Sequence, residues 1–106
     1  MTDKRIVFIT VPDQATGEKI ADALVREKLA ACVSIIPGII SIYVWQGKLE
    51  KSGENLLIAK TRADTFDALR KRVVELHPYE CPEIVSTPID GGLDKYLTWI
   101  EESVRK

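Results

Sequence analysis

The chain has 106 residues, 15 Lys and Arg against 16 Asp and Glu, and a net charge of -1, so one domain, residues 1–106, can bury a core, while bulk electrostatics give no reason to expect nucleic acid or an anionic membrane as partner. No run of 18 apolar residues and no charged leader with an apolar h-region is found, so neither a membrane span nor an export signal is expected. The two cysteines, Cys32 and Cys81, have neither CxxC nor framework spacing, and a reducing cytoplasm is the expected location.

Residues 5–11 begin with Ile6, Val7, Phe8 and Ile9 in succession, the pattern of a central strand covered on both faces. Pro12 ends it, and Asp13 is placed to cap a helix over 14–29 whose apolar side carries Ile20, Ala23 and Leu24, continued by Ala31. Gly17 inside that helix costs about 1 kcal/mol against alanine. Residues 33–46 are apolar on both alternating sets of positions, again a strand buried on two faces. The segment 46–53 carries Gly47, Ser52 and Gly53 among charged residues and separates that arm from a second apolar run over 55–61, which predicts a long antiparallel hairpin. At ~3.4 Å per residue the first arm extends roughly 45 Å, longer than the mid-thirties diameter of a globule with a radius of gyration near ~13 Å. Pro37 and Gly38 permit a bend or bulge, but Ile39, Ile42, Tyr43, Val44 and Trp45 still need apolar cover, and another chain is its expected source.

Asp64 is placed to cap a second helix with Phe66, Leu69, Val73 and Leu76 at spacings of three and four, stopped by Pro78. Arg70, Lys71 and Arg72 girdle that helix rather than form a stripe, which reads as solvated surface. Residues 83–89 read as a short strand in which Pro82 and Pro88 suggest an edge or strand ends, and Asp90, Gly91 and Gly92 as a turn. A last helix sets Leu93, Tyr96, Leu97, Ile100 and Val104 on one face, with Trp99 off it. The order is a ferredoxin-like α+β sandwich, βαββαβ, with a long central hairpin and an extra C-terminal helix. Right-handed crossovers put both inner helices on one face of the sheet. The apolar residues of the open face then call for sheet-to-sheet association of several copies.

Few residues offer chemistry. His77, Cys81, Glu80 and Glu83 fall within seven positions, and they read two ways: a helix-terminal histidine that complements the dipole, or imidazole and thiolate ligands for copper or zinc. Cys32, in an apolar run, reads as a small buried hydrophobe or a second thiol ligand. Tyr43, Trp45, Tyr79, Tyr96 and Trp99 at strand and helix spacing fit core or interface better than a ligand pocket. With no nucleophile elbow and no clustered acidic pair, no acid-base or nucleophilic set is recognisable, and an enzyme is not expected.

The segments Lys28-Leu29-Ala30-Ala31-Cys32-Val33, Ile36-Pro37-Gly38, Ser41-Ile42-Tyr43-Val44-Trp45-Gln46-Gly47-Lys48, His77-Pro78-Tyr79-Glu80, Pro82-Glu83-Ile84 and Tyr96-Leu97-Thr98-Trp99-Ile100 together resemble the CutA family of divalent-cation tolerance proteins, over almost the whole chain. The resemblance implies a ferredoxin-like fold and a homotrimer like that of the PII signalling proteins. It also implies a link to copper and other divalent metals; from the chemistry of His77 and Cys32, Cu2+ or another divalent cation is expected to be held weakly. Of the ligands implied by enteric bacterial members, the histidine of the His-Pro-Tyr motif is matched by His77, whereas Ile9 or its neighbour stands where those members carry a cysteine, leaving Cys32 as the candidate thiol. Two other functions are open to this architecture: a sensor of nucleotides or other small ligands in intersubunit clefts, and a trimeric scaffold for protein partners.

Overall fold

The computed structural model describes residues 2–106. Its elements are β1 (Lys4–Val11), α1 (Gln14–Arg26), β2 (Cys32–Trp45), β3 (Lys48–Arg62), α2 (Phe66–Leu76), β4 (Ile84–Pro88) and α3 (Asp94–Ser103), with a 3-10 turn at Ala63–Thr65. The strands form one sheet in the order β2-β3-β1-β4, every neighbouring pair antiparallel. This is the ferredoxin-like βαββαβ arrangement with an added C-terminal helix.

Alternation along β1 divides the sheet. Val7, Ile9 and Val11 are fully buried against Ile20 and Leu24 of α1 and Leu69 and Val73 of α2, with Leu57 and Ala59 of β3 beside them. Gly17 belongs to this contact: a Cβ there would sit 3.2 Å from both the Leu57 and the Val11 side chain. The helix gives up propensity at Gly17 so that it can lie close on the sheet. Asp13 caps α1 through the Thr16 amide, at 2.8 Å. The helix stops at Arg26 rather than at 29, because Lys28 takes a left-handed conformation, φ 60°, and the Lys28 and Leu29 amides bond back to the Val25 and Leu24 carbonyls. That is a Schellman stop without the usual glycine; Leu29 turns inward to Leu24 instead of extending the helix.

Ile6 and Phe8 point to the opposite, open face, in register with Lys60 and Ile58 of β3 and with Thr87 and Val85 of β4. α3 covers one end of this face. Ile100 and Val104 bury against Ala31, with Ile89 and Leu97 around them. Glu101 reaches the buried Lys4 at 2.7 Å and also pairs with the buried Arg62, two cations directly opposite each other on β1 and β3. The carboxylate offsets a like-charge cross-strand pair that would otherwise destabilise the ladder. Leu93 remains largely exposed, so the apolar stripe of α3 is only partly used. Asp64, placed by its sequence position to cap α2, instead grips Arg62 through both carboxylate oxygens, at 2.8 and 2.9 Å, and no side chain caps that helix.

The hairpin is tighter and longer than its composition suggests. The turn is two residues, Gln46 and Gly47, both at positive φ (52° and 80°), the conformation of a type I′ connection. The second arm therefore starts at Lys48, not at 55; the charged, glycine-bearing segment pairs residue for residue with the first arm out to Trp45 and Lys48. A bulge between Ile36 and Ile39, with Gly38 at φ 77°, bends the ladder as it leaves the core. The molecule measures 44 × 25 × 22 Å, and its surface of 6484 Å² exceeds the roughly 6,000 Å² of a compact monomer of this mass.

Candidate functional site

β1 ends at Val11, opposite Asn55, so the residue before it, Glu54, is where β3 leaves the cover of the central sheet. Glu54 pairs with Ile39 immediately past the bulge. The connection between α2 and β4, residues 77–83, folds back over this point. Between that connection and the distal hairpin lies an open cleft of about 710 Å³, lined among others by Tyr43, Trp45, Glu54, Tyr79, Cys81 and Glu83.

His77 anchors the connection. It is 8% exposed; its Nε2 lies 2.7 Å from the Thr10 carbonyl and its Nδ1 accepts from the Tyr79 amide at 3.1 Å. Because an amide can only donate, Nδ1 is the acceptor, and the ring proton sits on Nε2 and is donated to Thr10. Both nitrogens are thus engaged by backbone. The imidazole packs on Tyr79, ring centroids 4.7 Å apart, and Tyr79 donates its hydroxyl to Glu54 Oε2 at 2.7 Å. Burial, reinforced by that carboxylate, holds the Tyr79 phenol well above its usual range, so it stays protonated and a donor. Glu54 itself is 6% exposed and has no Lys or Arg within ion-pair distance among the described residues. On the hairpin side, Tyr43 and Ser52 share a hydrogen bond at 3.0 Å.

The two residues singled out for metal, His77 and Cys32, are not brought together within the chain. Cys32 pairs with Lys60, which pairs with Ile6, four residues along β1 from the Thr10 that holds His77, or about 13 Å along the sheet. Its thiol lies 3.7 Å from the Tyr96 hydroxyl, under α3, where Tyr96 and Trp99 stack with centroids 5.6 Å apart. Cys81, by contrast, is exposed and borders the cleft. Of the hairpin residues expected to meet another chain, Ile42 and Val44 are about two-thirds exposed, Tyr43 and Trp45 less so, and Ile39 is half-buried; Ile42, Tyr43 and Trp45 also line the cleft. Glu54 and Tyr79 were not legible as a pair. They lie 25 positions apart, on a strand and on a loop, and nothing in either local pattern points to the other.

A profile of the CutA1 divalent ion tolerance proteins matches residues 5–103. The chain belongs to this family. It is 49% identical over 100 residues to the divalent-cation tolerance protein CutA of Thermus thermophilus, covering 94% of this chain and 97% of that one, and 48% identical to the chloroplastic CutA of Arabidopsis thaliana, covering 94% of this chain and 55% of that one. It therefore spans about half the length of that plant relative and nearly all of the Thermus protein. Among solved structures, the Thermus CutA1 superposes with a TM-score of 0.94 at 48% identity, covering 96% of this chain and 99% of that one. CutA1 of Oryza sativa superposes with a TM-score of 0.96 at 45% identity, covering 99% of this chain and 96% of that one. No helix among the described residues is long and apolar enough to cross a membrane.

Proposed function

We propose that this CutA chain acts as a homotrimeric, non-enzymatic protein of divalent-cation tolerance, working in a reducing cytoplasm and meeting its cation at the acidic cleft. The observation that carries this reading is the charge of the cleft: Glu54, Glu80 and Glu83 line it together with the Cys81 thiol, and no Lys or Arg does. Such a wall concentrates cations and repels anions. Cu2+ stands highest in the affinity order of divalent first-row metals for a given N, O or S site. Among the described residues no three of His, Cys, Asp or Glu converge as a preformed chelate, which favours weak binding or completion by a second chain. His77, with both nitrogens engaged, supports the site by fixing Tyr79, and a direct ligand role would cost it the Tyr79 amide. Cys32 would bind metal only in a separate place under α3. The two unpaired thiols favour the reducing compartment.

The alternative, a PII-like sensor of nucleotides, needs phosphate-binding cations that the lining of one chain does not supply, so every basic group would have to come from a neighbour. Calorimetric titration with Cu2+, Zn2+, Mg2+ and ATP tests the choice. The expected result is saturable binding of Cu2+, weakened by Cys81→Ser and Glu54→Gln more than by Cys32→Ser. Saturable ATP binding without a metal response would overturn it in favour of the sensor.

A further inference from the structure

The carboxylates of the cleft do not converge as a ligand cluster among the described residues, and aromatic side chains line the cleft with them. Tyr43, Trp45 and Glu54 share one face of the distal hairpin with Ser41: the register sets Glu54 opposite Ile39, and Ser41, Tyr43 and Trp45 follow at alternate positions. From the Ile39 pair to the Trp45 pair is six residues, a trough about 20 Å long. Its near end holds the buried carboxylate of Glu54, which accepts from Tyr79 and pairs with no Lys or Arg among the described residues; Glu80 and Glu83 stand along the wall formed by the connection. Lys48 pairs with Trp45 at the tip and lies outside the lining residues, as does Glu50 opposite Tyr43.

A single hydrated metal ion held at one carboxylate leaves the rest of such a trough unfilled. A flexible chain of methylenes carrying ammonium groups several ångströms apart satisfies it better. One ammonium joins the Tyr79 hydroxyl at the Glu54 carboxylate as its counter-ion, the methylenes lie against Tyr43 and Trp45, and further ammonium groups pair with Glu80 and Glu83, with cation-π attraction from the aromatic faces. We infer that the trough between the distal hairpin and residues 77–83 is a binding site for linear diamines and polyamines, with Glu54 as its buried counter-ion and Tyr43, Trp45 and Tyr79 as its walls. This rests on the same reading of the cleft as a cation site but names a different ligand.

The test is calorimetry of the full chain with spermidine, 1,4-diaminobutane and propylamine, alongside Mg2+ and Cu2+ at matched ionic strength. Spermidine is expected to bind saturably and more tightly than the diamine, and propylamine weakly. Glu54→Gln should weaken spermidine roughly tenfold, the loss expected when one charged hydrogen-bond partner is neutralised, and Glu83→Gln, on an exposed position, carries the same test if the first variant fails to assemble. Spermidine binding that is unchanged in both variants, that propylamine matches, or that Mg2+ abolishes at equal charge concentration would overturn the inference, as would no saturable binding. Copper binding without amine binding would sink this inference and leave the tolerance reading standing; absence of both would sink the two together.

Discussion

The β2–β3 ladder has two halves that share an apolar character and differ in what covers them. In the proximal half, Val33 and Ile35 of β2 and Leu57 and Ala59 of β3 pack beneath α1, and the β3 pair is fully buried. In the distal half, Ile40, Ile42, Val44 and Leu49 share one face of the hairpin, each at least 64% exposed. Covering the first half takes one helix of the same chain. The second half has no helix of its own, and four large apolar side chains in one row form a patch of the kind that another chain covers. The contrast teaches that burial in this molecule is assigned by topology: the same kind of residue is core where a crossover helix passes over it and exposed surface where the hairpin runs on beyond the helices.

Charging the distal face is the strongest way to separate the halves. Ile42→Asp and Val44→Asp each place an unpaired carboxylate in every copy of the proposed contact, and sedimentation should show loss of the proposed trimer at micromolar concentration; an unchanged assembly would mean that this face stays in water. Leu57→Ala acts on the proximal half and should cost about 2–5 kcal/mol by denaturant unfolding. Below that comes His77→Ala, which leaves the Thr10 carbonyl and the Tyr79 amide without partners and should cost about 1–3 kcal/mol. If instead its only effect is on metal affinity, the anchoring role assigned to the imidazole is wrong. The smallest effect is electrostatic. Arg62 holds the Asp64 carboxyl below the usual carboxylate range, so the stability it contributes is complete above about pH 4 and is lost as pH falls through the depressed folded-state value. Asp64→Asn should therefore be less stable at neutral pH and lose less of its stability on acidification than the unaltered chain; identical acid limbs would contradict the assignment.

Much of this contrast was readable before any coordinates. The two-faced apolar pattern of 33–46 announced a strand too long for its domain, and Pro37 with Gly38 marked where it bends. The far side of the hairpin was harder to read. Leu49 lies in a segment whose lysines, glutamates and glycines suggest a loop, and only pairing across a two-residue turn makes it part of the apolar row. Cap residues were legible where local chemistry is unambiguous, as at Asp13, and misleading where a stronger partner competes, as Arg62 does for Asp64. The site was least legible of all. His77 stood out as a lone imidazole, but its partners are backbone groups of β1 and its own loop, and the buried carboxylate that makes the cleft distinctive is an ordinary glutamate until the fold encloses it.

The claim on which the rest depends is that other copies of the chain cover the Ile40, Ile42, Val44 and Leu49 face of the distal hairpin. Sedimentation equilibrium of the unaltered protein at micromolar concentration tests it most directly. The account predicts a single species of three times the 11.9 kDa chain mass; a species of one chain mass, with its hairpin amides over 39–44 exchanging freely, would contradict it.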